Sequence, residues 1–447
     1  MRRTEPLVWI AGAAGAICLG YAVARPEVQA FIENSGVNIP TSNPLHDYAA
    51  GLIWACVLLA FVLMWPVSRA HKKLLAAAWL VKCFVALVVM LPYEQHYWGL
   101  DCWPYFQRSH LGLWELSPGI LNGGSDFIVW LGALHLKIGP DSYHAMKLSF
   151  ALIGLVGVYL FYRAAEILIG SYSPLTFWAL TLYPSVLFWS SILGKDPTIL
   201  AAIGLHVWGL VNVAVRRKNW YLVAVLAGIG GASAVRIWMG PILILPCLLV
   251  LGTRIKQIAW RTAAVVLVSL ALATVGPATI DRLELDKASD LLGATRTIND
   301  SWNRANSSLS DQVELNSTWD VLLFTPEGFF ITYFRPLPGD VPHLFGWLAG
   351  FENLGLLLLS IWALFRVRLA YFRNPIFLWS VALLLTWGLA YTPVAYRDLG
   401  TAVRFKLQII PILLGLIGFL IKRPLRPRAM VRTPDTAPHF ALAQYAK

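Results

Sequence analysis

Charged side chains are scarce in this sequence: they make up 13% of its 447 residues, where an ordinary soluble chain carries about 25%. A disordered chain or a coiled coil needs far more charge, so both are excluded. Cysteine is scarce too. Four of the five, Cys18, Cys56, Cys83 and Cys247, sit inside apolar runs, and only Cys102 lies outside one. They offer neither a disulfide framework nor metal-ligand spacing. A P-loop is missing, and so are the short alternating segments that build a membrane β-barrel.

What the sequence does have is apolar surface, 57% of its residues, with a mean hydropathy of +0.62. One soluble core cannot hide that much. The apolar residues fall in continuous runs near the ~20 residues that a spanning helix needs. The sequence therefore predicts an all-α protein, a polytopic membrane bundle of about twelve transmembrane helices. The runs lie at roughly 7–24, 48–65, 74–92, 143–162, 174–192, 198–215, 220–235, 238–253, 260–280, 345–365, 375–392 and 407–421. No small-residue cleavage site follows the first, which reads as an anchor. Residues 1–73 form a two-helix extension, 74–253 a central module, and 254–422 a C-terminal set of helices with a long outer loop at 281–344. The Pro- and Arg-rich tail, 423–447, reads as disordered.

The net charge of +12 sorts with topology. With the N-terminus inside, the inner loops and tail hold 21 of the 36 basic residues and only three of the 24 acidic ones, Glu5, Glu166 and Asp435. This is the positive-inside pattern. The basic excess faces anionic lipid, and no nucleic-acid partner is needed. The reading is a multi-pass protein of the cell (inner) membrane with both termini cytoplasmic. Inner loops are too short to bind a nucleotide, whereas 93–142 and 281–344 give room outside.

The candidate site residues lie on that outer side. The segment from Tyr93 to Arg108 is dense in aromatic and polar groups, and 126–138 is apolar but too short to span. Both read as interfacial helices. An aromatic belt accounts for Trp98, Trp103 and Tyr105. Asp101, an acid among aromatics, calls for a partner or a task. In Gly194-Lys195-Asp196-Pro197, Asp196 and Pro197 suit a helix start with the acid as N-cap, which leaves Lys195 unexplained. Arg236, between two apolar runs, is either a phosphate ligand or an interfacial anchor. Arg335, Arg397 and Arg404 are outer-face arginines against the topology bias, and Glu352, within an apolar run, needs a partner such as one of them. Glu94, His96, Tyr105, Arg108 and Glu352 are candidate cavity residues. Lys82, well inside a span, is expected to pair with an acid across the bundle.

From about residue 74 the layout resembles the GT-C superfamily of membrane glycosyltransferases, which use polyprenyl-phosphate-linked sugars. The resemblance rests on order: a span, an outer loop with an acid (Asp101 in Asp101-Cys102-Trp103-Pro104-Tyr105) and two interfacial helices, then a helix pair whose outer turn carries Asp196. Tyr183-Pro184-Ser185 on the approach is also similar to the family. It covers residues 74–253. Two departures stand out: the spans before residue 74 are extra, and Cys102 follows Asp101 where some members have a second acid. The resemblance implies transfer of a sugar from the lipid-linked donor to a glycan or lipid acceptor at the outer face. Asp101 and Asp196 would be catalytic. Lys195, Arg236, Arg335, Arg397 and Arg404 would hold the donor phosphate. No cofactor is expected, and nothing in the sequence supports a metal. An O-antigen or exopolysaccharide polymerase is the alternative, pointed to by the outer arginines. A lipid-linked sugar flippase is a third reading, against which stands the absence of an internal repeat.

Overall fold

The computed structural model describes residues 25–35, 39, 41–96, 101–115, 123–254, 317–342, 344–395 and 399–421, with isolated positions between 262 and 295. The expected span 7–24, most of 260–280, most of the segment 281–316, the tail, Trp98 and Arg397 lie outside the described residues. Every described element is a helix.

In chain order these are α1 (Pro26–Ser35), α2 (Pro44–Met64), α3 (Arg69–Phe84), a π-helical turn (Val85–Val89) and α4 (Met90–His96). Next come α5 (Cys102–Ser109), α6 (Ser125–Ile138), α7 (Tyr143–Ile169), α8 (Pro174–Thr181), α9 (Pro184–Trp189) and α10 (Lys195–Arg216). The rest are α11 (Leu222–Val235), α12 (Met239–Arg254), α13 (Thr318–Phe334), α14 (Leu344–Leu364), α15 (Pro375–Ala395), α16 (Leu399–Lys406) and α17 (Ile410–Ile421). Among the described residues six spans are long and apolar enough to cross a membrane: 44–64, 69–95, 143–169, 195–216, 344–364 and 375–393. A seventh results if α16 and α17, bent by 63°, count as one. The chain is thus a multi-pass helical membrane protein.

Local chemistry sets the ends of these helices. Ser142 starts α7 by accepting the Ala145 N–H at 3.1 Å. Gly170 ends it in a left-handed conformation (φ 77°), its N–H closing on the Glu166 carbonyl. The run 174–192 is divided into α8 and α9 rather than being one straight span. Pro184 has no N–H to continue a helix and opens a new one instead. At 14 and 16 residues, α11 and α12 reach only about 21 and 24 Å at 1.5 Å per residue, short of a ~30 Å hydrocarbon core.

The core is built on close backbone approach. A Cβ at Gly157 of α7 would stand 2.8 Å from Ala201 N of α10, and one at Gly204 would stand 2.7 Å from the Gly157 carbonyl oxygen. Small residues permit such crossings in lipid, where association depends on dispersion contact. Glu94 of α4 meets Lys147 near the start of α7, and His71 of α3 meets Glu166 near its end. The spans 69–95 and 143–169 are therefore antiparallel. Arg216, closing α10, shares a cavity with Glu166. So α7 and α10 run the same way, and α8 with α9 carries the chain back between them. The short helices α5 and α6, at the places expected for interfacial helices, pack on each other, with Ser109 Oγ donating to the Val129 carbonyl at 3.1 Å.

Candidate functional site

Four separate segments converge at one end of the bundle: the start of α5 with Asp101, the first turn of α10 with Lys195 and Asp196, the α11–α12 junction with Arg236, and α16 with Arg404. Arg404 is the hinge of the cluster. Its Nε donates to Asp196 Oδ2 at 2.5 Å, and its Nη1 lies 3.5 Å from Asp101 Oδ2. The two carboxylates differ sharply in setting. The Asp101 side chain is 60% exposed and that of Asp196 is 1% exposed. Asp196 Oδ1 faces Arg236 Nη2 at 3.7 Å. Lys195, half-buried, sits in the combined field of Arg236, Asp101, Arg404 and Asp196.

Aromatic rings hold the arginines in place. The Arg236 guanidinium lies 3.7 Å from the Phe405 ring centroid, and that of Arg404 lies 5.6 Å from Trp189. Cation–π contact of this kind positions a desolvated cation without consuming its N–H donors. Arg236 is 5% exposed, and its Nε has no hydrogen-bond partner among the described residues. Trp238 Nε1 donates to the Tyr391 hydroxyl at 2.8 Å, fixing the turn after Arg236. Tyr105 lines the same corner: a Cβ at Gly194 would lie 3.8 Å from its ring and 3.9 Å from Arg404 Nη2. Burial, and then the neighbouring Asp101 carboxylate, push the Tyr105 phenol up to about 12, so it stays protonated at neutral pH.

Several expectations from the sequence change here. Asp196 does not cap α10: Gly194 holds the N-cap position, no side chain caps it, and the carboxylate of Asp196 is turned to the arginines instead. Arg335 is spent elsewhere, its Nε and Nη2 both donating to Asp340 at 2.8 Å. Glu352 accepts the Ser185 backbone N–H at 3.1 Å and lies in the field of Lys406, not of an outer arginine. Arg108 joins α5 to α6 through Asp126 at 2.7 Å, both side chains well exposed. Lys82 has no acid partner among the described residues; it donates to Ser190 O, Ser190 Oγ and Ser191 Oγ at 2.8, 2.6 and 3.0 Å. Three oxygens on the turn before α10 do the work that a carboxylate was expected to do. His96 closes α4, and Arg397 lies outside the described residues.

Glu94 is not a cavity residue. It is fully buried, accepts from both Lys147 Nζ (2.9 and 3.1 Å) and the Tyr143 hydroxyl (2.8 Å), and the same hydroxyl lies 3.2 Å from Cys102 Sγ. One tyrosine thus ties the end of α4 to the start of α5, on either side of the short stretch that leads to Asp101. Beside it, Asp47 at the start of α2 pairs with His144 Nδ1 at 2.5 Å. The sequence signal for this network was present in Asp47, His144 and Lys147, polar residues at the edges of apolar runs. Among the described residues no group of three His, Cys, Asp or Glu side chains is placed to hold a metal ion.

The corner as described joins three cations to two carboxylates, one exposed and one sequestered. Comparison with family models, with curated proteins and with solved structures gave no match.

Proposed function

We propose that the chain is a membrane glycosyltransferase that moves a sugar from a polyprenyl-phosphate donor to a glycan or lipid acceptor at the outer face of the cell membrane. The observation that carries this reading is one corner that holds both an exposed carboxylate, Asp101, in contact with Arg404, and a buried arginine, Arg236, whose Nε is an unpartnered donor among the described residues. A base and an anion-binding corner are what such a transfer requires.

In this reading the Asp101 carboxylate takes the proton from an acceptor hydroxyl. The acceptor oxygen forms a bond to the sugar's anomeric carbon as the bond from that carbon to the lipid phosphate breaks. The charge that develops on the phosphate is met by Arg236, Lys195 and the outer edge of Arg404. Asp196 is too deeply buried to meet substrate; it acts as a positioning residue that holds both guanidinium groups. Tyr105, protonated, can donate a hydrogen bond but cannot serve as the base. The lipid tail stays in the bilayer, which fits a site beside α5 and α6. The polymerase alternative loses support, because Arg335, one of the arginines that pointed to it, has both Nε and Nη2 engaged by Asp340.

The direct test is incubation of the detergent-purified protein with a panel of polyprenyl-phosphate sugars and a candidate acceptor. Sugar-dependent release of polyprenyl phosphate supports the reading. Tight binding of those donors with no release in any combination refutes it in favour of a carrier.

A further inference from the structure

At the opposite end of the bundle from Asp101 lies a cavity of about 470 Å³. It is formed where the start of α3 and the ends of α7 and α10 come together. Polar groups line it: Ser68, His71, Arg163, Glu166, Ser171 and Arg216. None of them takes part in the proposed transfer chemistry.

The charge within the cavity does not cancel. Glu166 is engaged twice over, by Arg163 Nε at 3.2 Å and by His71 Nε2 at 3.1 Å. His71 is held edge-on by Tyr159 and Tyr162 and stacked on Tyr172 at 5.5 Å. Its Nδ1 shares a hydrogen bond with the Tyr159 hydroxyl at 3.0 Å. Arg216 has no carboxylate partner among the described residues, and its contact there is the Asn212 side-chain oxygen at 3.4 Å. A guanidinium with spare donors at a membrane boundary is suited to an oxyanion.

The rim of the cavity is apolar. Ile167 and Val215 line it directly. Val215 is 47% exposed; Leu168, next to Ile167 in the chain, and Leu175, a few residues after the lining Tyr172, are 50% and 79% exposed. The start of α3 adds Arg69, Lys72 and Lys73, and the chain just after α10 adds Arg217 and Lys218. A polar floor with a basic residue to spare, an apolar rim and a basic surround are the features of a headgroup site between helices, where anionic lipids are held. A free phosphate would need the floor but would gain nothing from the rim.

We infer that this cavity binds the phosphate headgroup of an anionic phospholipid, with Arg216 as the principal phosphate ligand, Arg163 and Ser171 beside it, and the acyl chains over Ile167 and Val215. The inference is independent of the glycosyltransferase reading.

The test uses the whole protein in detergent with three probes: phosphatidylglycerol, phosphatidylcholine and inorganic phosphate. Native mass spectrometry reads bound lipid, and thermal unfolding reads stabilisation. Phosphatidylglycerol is expected to bind and raise the unfolding temperature, while phosphatidylcholine and inorganic phosphate do neither. Arg216→Gln, at an exposed position where folding is not at risk, should weaken phosphatidylglycerol about fivefold, the worth of roughly 1 kcal/mol per basic residue near a lipid phosphate. Lys218→Gln, which removes an equal charge nearby but outside the cavity, should have a much smaller effect. Equal losses in the two variants would overturn the inference in favour of a diffuse basic surface. Equal stabilisation by inorganic phosphate would overturn the lipid assignment.

Discussion

The two aspartates of the Arg404 corner should part company on substitution. Asp196 is 1% exposed and faces two guanidinium groups, at 2.5 and 3.7 Å. Asp196→Asn keeps the shape but removes the charge, leaving the buried Arg236 without a carboxylate partner and Arg404 with only its longer contact to Asp101. Breaking a buried pair in this way costs about 3–5 kcal/mol, so the thermal midpoint in detergent should fall markedly. Asp101 is 60% exposed and its contact with Arg404 is 3.5 Å long. An exposed pair of that kind contributes about 0–1 kcal/mol, and Asp101→Asn should unfold almost as the parent does. Its effect belongs to chemistry. Loss of a general base removes about 10²–10⁴-fold in rate, while binding of the lipid-linked donor, which depends on the cations, should persist. Both variants are measured on one preparation, by thermal scan and by release of polyprenyl phosphate. If Asp101→Asn transfers sugar at a near-normal rate, the base assignment fails. If Asp196→Asn is as stable as the parent, the buried-pair argument fails.

Three further outcomes are expected. Glu94→Gln should destabilise by about 3–5 kcal/mol, because it strands the fully buried Lys147; the double change Glu94→Leu with Lys147→Met should recover much of that loss, as a thermal scan of the two would show. The Arg335 hydrogen bonds hold the Asp340 carboxyl below its ordinary range, so the unfolded chain binds its proton more readily. This contribution is complete above the ordinary carboxyl value of about 4 and disappears as pH falls through the lowered one. Asp340→Asn should remove that part of the acid limb in unfolding scans. A cysteine at position 141 should react with an impermeant reagent from outside and one at position 217 should not, in a variant lacking the native cysteines; the reverse pattern would place the corner on the inner side.

Much of the corner around Arg404 was legible in the sequence because charge at the end of an apolar run is costly and stands out. Asp101, Lys195, Asp196, Arg236 and Arg404 were each conspicuous on that ground, and they converge. What the one-dimensional view could not settle was pairing. Arg335 looked free because its partner, Asp340, is an ordinary loop acid, and only the turn at Leu337, whose N–H also reaches Asp340 at 2.7 Å, brings the two together. Lys82 seemed to require a carboxylate, yet carbonyl and hydroxyl oxygens more than a hundred residues away satisfy it. The Glu94–Lys147 pair spans 53 residues, and no local periodicity announces it. Helix type was readable throughout the described residues. Continuity was not, since the division of 174–192 depends on how Pro184 is accommodated when α8 and α9 carry the chain back between two parallel helices.

The bond between Arg404 and Asp196 joins residues 208 positions apart. During synthesis, Asp196 is in place long before the ribosome has made its principal counter-ion. Until α16 arrives, the growing chain has an acid partnered by Arg236 alone, and Asp101 has no Arg404 beside it. The corner is therefore completed only after nearly every membrane segment has been inserted. A chain cut short before residue 399 would keep the central module but lack the residue that links its two acids. Arg404 thus closes the corner last, after the chain has been made almost to its end.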